Sequence, residues 1–117
     1  MSTQAAGNVP SDIMPQLARL KPYLFVLLRK GRNYEQPDTL KIIQSEHLPY
    51  VFSWREKGAI AVTMPIRDET NIAAIAIFNI TDKDEAKKIM ENDPAVIKGI
   101  FTYELLNAIG MKGDTLD

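Results

Sequence analysis

The sequence predicts an α+β fold in which a four-stranded antiparallel sheet carries two helices on one face. Three observations lead there. Segments of strand and helix pattern follow one another in the order strand, helix, strand, strand, helix, strand. The first and third strand segments are apolar at both parities, as strands in the middle of a sheet are. The 117 residues suffice for one domain and not for two.

Residues 1–20 read as a tail or short helix ahead of the domain. Met1 to Pro10 is small, polar and glycine-containing, the composition of a mobile terminus. Ile13, Leu17 and Leu20 then recur at helical spacing, with Ser11 or Asp12 as N-cap and Pro15 limiting the start. The domain proper is expected over 21–110. It opens on Tyr23-Leu24-Phe25-Val26-Leu27-Leu28, a strand whose aromatic and branched residues suit burial on both faces. Arg29-Lys30-Gly31-Arg32-Asn33 supplies the turn. A helix follows from Asp38 to Lys57, where Leu40, Ile43, His47, Tyr50, Val51 and Trp54 fall three and four apart and so share one face. Pro49 removes a backbone donor inside it, which predicts a kink or a tightened turn near Ser45 and Glu46. Gly58 ends it.

Ala59 to Ile66 is the second strand, stopped by Pro65 and the charged turn Arg67-Asp68-Glu69-Thr70-Asn71. Ile72 to Ile80 is the third, although Ala73, Ala74 and Ala76 weaken its strand propensity and leave a helix as the alternative. Asp82 and Glu85 resemble a capping box for a helix that turns Ala86, Ile89 and Met90 inward. Asn92-Asp93-Pro94 breaks that helix. The last strand runs from Gly99 to Asn107, with Phe101, Tyr103 and Leu105 alternating against Thr102 and Glu104. Residues 111–117 read as a C-terminal tail.

This order is the split βαβ, or ferredoxin-like, arrangement βαββαβ. Right-handed crossovers place both helices on the same sheet face and put strands one and three in the centre. The opposite face is then bare, with a projected area of roughly 400 Å². An apolar patch of that size marks a partner surface, and the simplest partner is a second copy related by two-fold symmetry. The alternative cover is the N-terminal segment.

Composition narrows the function classes. The formal net charge is -1, which gives no long-range pull toward nucleic acid or anionic lipid. There is no cysteine, so thiolate metal sites, thiol nucleophiles and disulfides are excluded. No run of about 18 apolar residues is present, and no signal-peptide core, so no membrane span is expected and the location expected is cytoplasmic. One histidine and scattered carboxylates match none of the recognised metal-ligand spacings, and neither metal nor cofactor is expected.

Two residues stand out as chemistry. His47, the one histidine, occupies a helix face where the pattern asks for a hydrophobe. An imidazole titrates near neutral pH and suits proton transfer; the bland alternative is a buried ring bonded to a backbone carbonyl. Asp93 stands before Pro94, a common capping position, yet a carboxylate beside an imidazole would fix its tautomer and raise its basicity. Ser45 and Ser53 are about 200° and 240° around the helix from His47 and do not share its face. Thr63 is a further hydroxyl without support from spacing. Arg29, Lys30 and Arg32 form a small basic cluster suited either to an anionic group or to a solvated turn. Tyr50 and Trp54 read as packing, and Lys87 and Lys88 as a solvated face.

Three stretches resemble the YCII-related family. They are Tyr23-Leu24-Phe25-Val26-Leu27-Leu28-Arg29-Lys30-Gly31; His47-Leu48 with Gly58 and the strand leading to Pro65; and Asp93-Pro94-Ala95-Val96-Ile97-Lys98-Gly99 with the preceding Ile80-Thr81-Asp82-Lys83-Asp84-Glu85-Ala86. The likeness covers roughly residues 22 to 107. It implies a dimeric α+β barrel in which two ferredoxin-like sheets pack face to face. This fold includes muconolactone-isomerase-like enzymes, monooxygenases and a dehydrochlorinase. It further implies a catalytic histidine–aspartate pair, matched here by His47 and Asp93, with Met64 and Pro65 at the pocket; the basic cluster adds Arg29 as an expected substrate contact. Met64 stands where members commonly carry glycine, and Asn107-Ala108-Ile109 stands where many carry Pro-Trp.

The expectation is a small-molecule enzyme using His47 and Asp93 as general acid and base, as a lyase or isomerase does without a cofactor. A non-catalytic ligand-binding module and a purely structural dimer are the competing readings. Contact between His47 and Asp93 beside a cavity separates the first from the others.

Overall fold

The computed structural model describes residues 10–117, so the mobile tail expected over Met1 to Pro10 lies outside the described residues apart from Pro10. The chain divides into two compact units. One is Tyr23–Ala108; the other, smaller, joins the described residues up to Pro22 with Ile109–Asp117.

The smaller unit contains a 3₁₀ turn at Ser11–Ile13 that runs into α1 (Met14–Leu17). It is held together by Arg19. The Arg19 guanidinium donates to the Lys112 carbonyl at 2.9 Å and to Asp114 at 2.7 Å, while the Arg19 carbonyl accepts from Lys112 N–H. That pairing keeps the chain extended where the sequence suggests a strand end at Asn107 and a free tail soon after.

Strands β1 (Leu20–Lys30), β2 (Ile60–Pro65), β3 (Ile72–Phe78) and β4 (Phe101–Met111) form one four-stranded sheet in the order β2-β3-β1-β4. β3 is antiparallel to β1 and to β2. Arg29 meets Glu104 and Gly31 meets Ile100, so β4 is antiparallel to β1 as well. This is the ferredoxin-like order, with β1 and β3 central as the apolar pattern requires.

The register sorts the side chains. Leu24 pairs with Phe78, Val26 with Ala76 and Leu28 with Ala74. These face the helices, and Leu24, Val26, Leu28 and Phe78 form the core with Ile42, Ile89, Met90 and Ala95. Phe25 pairs with Ile77 and Leu27 with Ile75, and Val62 and Met64 of β2 join them on the opposite face. That face is half-buried or exposed throughout.

The long helix is three segments, α2 (Thr39–Ile42), a π-helical turn at Ile43–His47 and α3 (Leu48–Glu56). Where a kink or a tightened turn is expected near Ser45 and Glu46, the helix instead widens by one residue. The cause is Pro49, which lacks the N–H that an α-helix sends to Ser45 and whose ring presses on that carbonyl; a wider turn relieves the clash. The extra residue rotates everything before it by about 100°. Ile42, not Ile43, becomes the buried residue, and Leu40, expected on the inner face, is 64% exposed. After β3, α4 (Lys83–Glu91) is capped by the Asp82 carboxylate, which accepts from Asp84 N–H at 2.9 Å. A single helical turn absent from the sequence reading, α5 (Pro94–Ile97), follows.

Candidate acid/base site

His47 is the last residue of the π-helical turn. Without the inserted residue its ring would be turned with Leu40 and Ile43 rather than with Ile42. Asp93 is the N-cap of α5, with Pro94 at the first helical position. Proline suits that position because its missing N–H would be unpaired there anyway. The Asp93 Oδ1 atom accepts from Ala95 N–H at 2.9 Å, which fixes the carboxylate plane. Its Oδ2 atom is 2.7 Å from His47 Nδ1.

Both groups are sheltered, His47 at 8% exposure and Asp93 at 2%. An ionised Asp93 carboxylate can only accept at Oδ2, and opposite it Nδ1 carries the ring proton. The edge of the imidazole meets Phe101 with ring centres 5.0 Å apart. Among the described residues Nε2 has no hydrogen-bond partner. No buried side-chain nitrogen or oxygen among the described residues is left unpaired, so Nε2 keeps contact with solvent. One side of the ring is thus oriented and the other is free.

One ion pair bridges the two segments beside the contact. Lys98, at the end of α5, bonds both oxygens of Glu46 at 2.7 and 2.9 Å. Glu46 precedes His47 in sequence, so the pair ties the π-helical turn to the helix that Asp93 caps.

His47 and Asp93 line a cavity of about 80 Å³ between the helices and the inner sheet face. Its floor includes Val26, Ala74 and Ala76, and its other walls are almost wholly apolar. The alanines that weaken β3 as a strand leave this space unfilled. Four polar side chains reach it: His47, Asp93, Tyr50 and Thr63. The Tyr50 hydroxyl donates to the Ile89 carbonyl at 2.7 Å. Burial raises the Tyr50 pKa above the usual tyrosine value, the Trp54 hydrogen bond opposes this, and the Asp93 charge raises it further.

Of the other residues singled out from the sequence, Pro65 lines the cavity. Met64 does not; it has the opposite parity on β2 and is 39% exposed. Arg29 is also away from the cavity, held by Glu104 at 2.6 Å. Lys30 lies over the Tyr34 ring at 5.1 Å, and Arg32 borders a separate surface hollow with Gly99 and Tyr103. Ser45 and Ser53 bond backbone carbonyls of their own helix at 2.6 Å each. Among the described residues no three His, Cys, Asp or Glu side chains converge as a metal site, and no helix is long and apolar enough to cross a membrane.

Fold and site together define a ferredoxin-like α+β protein with a sheltered histidine–aspartate contact beside an apolar cavity. No protein-family model matches the chain, and no curated protein does. Among solved structures it is similar to 5-chloro-2-hydroxyhydroquinone dehydrochlorinase from Burkholderia phenoliruptrix AC1100 in complex with 2,5-dihydroxybenzoquinone. That match has 23% identity and a TM-score of 0.47, and covers 73% of this chain and 90% of the other. It is also similar to a protein from Agrobacterium tumefaciens known from its crystal structure. There the identity is 13% and the TM-score 0.40, with 75% of this chain and 90% of the other covered.

Proposed function

We propose that this chain is a small-molecule enzyme of the YCII-related kind, a lyase or isomerase that works by general acid/base catalysis through His47 and Asp93 and needs no cofactor. The observation that carries the reading is the 2.7 Å contact between His47 Nδ1 and Asp93 Oδ2, with Nε2 left free beside a cavity. Asp93 holds the tautomer that presents a lone pair at Nε2. That atom takes a proton from the substrate, the imidazolium formed is stabilised by the carboxylate, and the proton is returned at a second position or to a leaving group. A positioned base of this kind contributes roughly 10²–10⁴ in rate. The cavity walls select a compact, largely apolar substrate body.

The same reading makes the protein a homodimer. What supports it is the sheet face bearing Phe25, Leu27, Ile75 and Ile77, opposite the face that packs on α2, α3, α4 and α5.

The test is proton exchange at carbon, followed by proton NMR in D₂O across a panel of small cyclic ketones and short organic acids. The wild-type protein exchanges the acidic C–H of at least one member, and His47→Ala does not. Equal exchange in both proteins, or none in either across the panel, overturns the reading.

A further inference from the structure

The cavity holds four polar side chains, and three are already committed. Asp93 accepts on both oxygens, His47 Nδ1 is spent on Asp93, and the Tyr50 hydroxyl is spent on the Ile89 carbonyl. Thr63 differs. Its register against Ala76, which in turn pairs with Val26, turns it toward the helices and into the cavity. Its Oγ1 atom accepts from Arg55 Nη1 at 3.2 Å. An oxygen that accepts from a guanidinium keeps its own proton for another acceptor, and among the described residues it has none.

We infer that Thr63 is a substrate-binding donor, with Arg55 as the positioning residue behind it, and that the substrate carries a carbonyl or carboxylate oxygen at that end. This rests on the acid/base reading of His47 and names the substrate class for the same site. The chemistry is complementary. When a base removes a proton from the carbon next to a carbonyl, the C–H electron pair forms a C=C bond and the charge moves to the oxygen. A donor at that oxygen gains strength as the charge develops, and a guanidinium polarising the donor adds to it. His47 Nε2 holds the proton and returns it, or exchanges it with water. The other walls offer nothing polar that would compete for the oxygen.

The matched probes are cyclopentanone and methylenecyclopentane, which share a shape and differ in whether oxygen or CH₂ occupies the acceptor position. Binding is followed by amide chemical-shift titration, and exchange of the ketone's α-protons by proton NMR in D₂O. Wild-type protein prefers the ketone. Thr63→Val, which keeps shape and strand propensity, loses roughly fivefold of that preference and slows exchange. Thr63→Ser restores both, which a structural role for the methyl group would not permit. Arg55→Met retains the hydroxyl and gives an intermediate loss. His47→Ala abolishes exchange but keeps the ketone preference, so the two readings fail separately. Equal binding of the two probes by wild type, or an undiminished preference in Thr63→Val, overturns the Thr63 assignment. Exchange that survives in His47→Ala overturns the acid/base reading alone.

Discussion

His47 Nδ1 and Asp93 Oδ2 stand 2.7 Å apart although 46 residues separate them in the chain, and each owes its position to a proline two residues or one residue further on. Pro49 widens the turn that ends at His47. Pro94 opens the helix that Asp93 caps. Two local backbone rules thus deliver a long-range contact.

Asp93 has two duties, and substitution separates them. Asparagine is as good an N-cap as aspartate, so Asp93→Asn keeps the bond to Ala95 and loses less than about 1 kcal/mol of stability. It removes the carboxylate, so the preference for the Nδ1–H tautomer weakens and exchange activity falls. Asp93→Ala loses the cap and strands a sheltered imidazole donor, at a cost of about 2–4 kcal/mol. Urea unfolding gives the stabilities, and nitrogen-15 NMR of the imidazole gives the tautomer. Equal destabilisation by the two substitutions would contradict the division of roles.

Alkaline pH should reveal a second pair. The Tyr103 hydroxyl donates to Glu91 at 2.9 Å. Burial first, and then the hydrogen bond and charge of Glu91, push its pKa from 10.0 up to about 12. The folded value lies above the unfolded one, so the stabilisation is complete below pH 10.0 and is lost as pH rises through about 12. Tyr50 is shifted in the same direction and adds to the loss. Tyr103→Phe should flatten the decline in unfolding free energy across that window while shifting the phenolate absorbance of one tyrosine fewer at high pH. A decline as steep as the wild type's would refute the assignment to Tyr103.

The cavity exists because Ala74 and Ala76 are small, and filling it tests whether the space is used. Ala76→Val adds two methyl groups against Val26 and Thr63, in a strand where valine is favoured over alanine. The expected gain in stability is about 1 kcal/mol, accompanied by loss of ketone binding in the shift titration. A variant that is stabilised and still binds would place the ligand elsewhere.

How much of this was legible in the sequence depended on the kind of signal. Strand order was legible because β1 and β3 are apolar at both parities, and only central strands need that. The inner and outer faces of β4 followed from the alternation of Phe101, Tyr103 and Leu105. The phase of the first long helix was not legible. A 3.6-residue period does not carry back across Pro49, because one inserted residue moves Leu40 out and Ile42 in. His47 stands out in the sequence as a residue type out of keeping with its position, and Asp93 only through the family resemblance, since an aspartate before proline is an ordinary cap; their contact depends on that insertion and on α5, a turn too short to show periodicity. The sequence points to Met64 through the family pattern, where glycine is common, and to Arg29 through a basic cluster. Strand parity and Glu104 place both elsewhere. Thr63 could have been found from the same parity argument, since it alternates with Met64.

The sheet face opposite the helices supplies the last prediction. Phe25, Leu27, Ile75 and Ile77 sit on the two central strands, and the ion pair Arg29–Glu104 stands beside them at 2.6 Å. Each Å² of this apolar surface left against water costs about 25 cal/mol. If a second copy covers them, one charge placed in the middle should separate the copies without unfolding either, because the side chain of a lone copy stays half-exposed. Ile77→Lys is therefore expected to convert a sedimenting dimer into a monomer, weakening association by at least ~3 kcal/mol, roughly a hundredfold in Kd. The far-ultraviolet circular dichroism should stay that of the wild type. A wild-type protein that sediments as a monomer at every concentration would remove the dimer, and His47 and Asp93 would then have to act within a single copy.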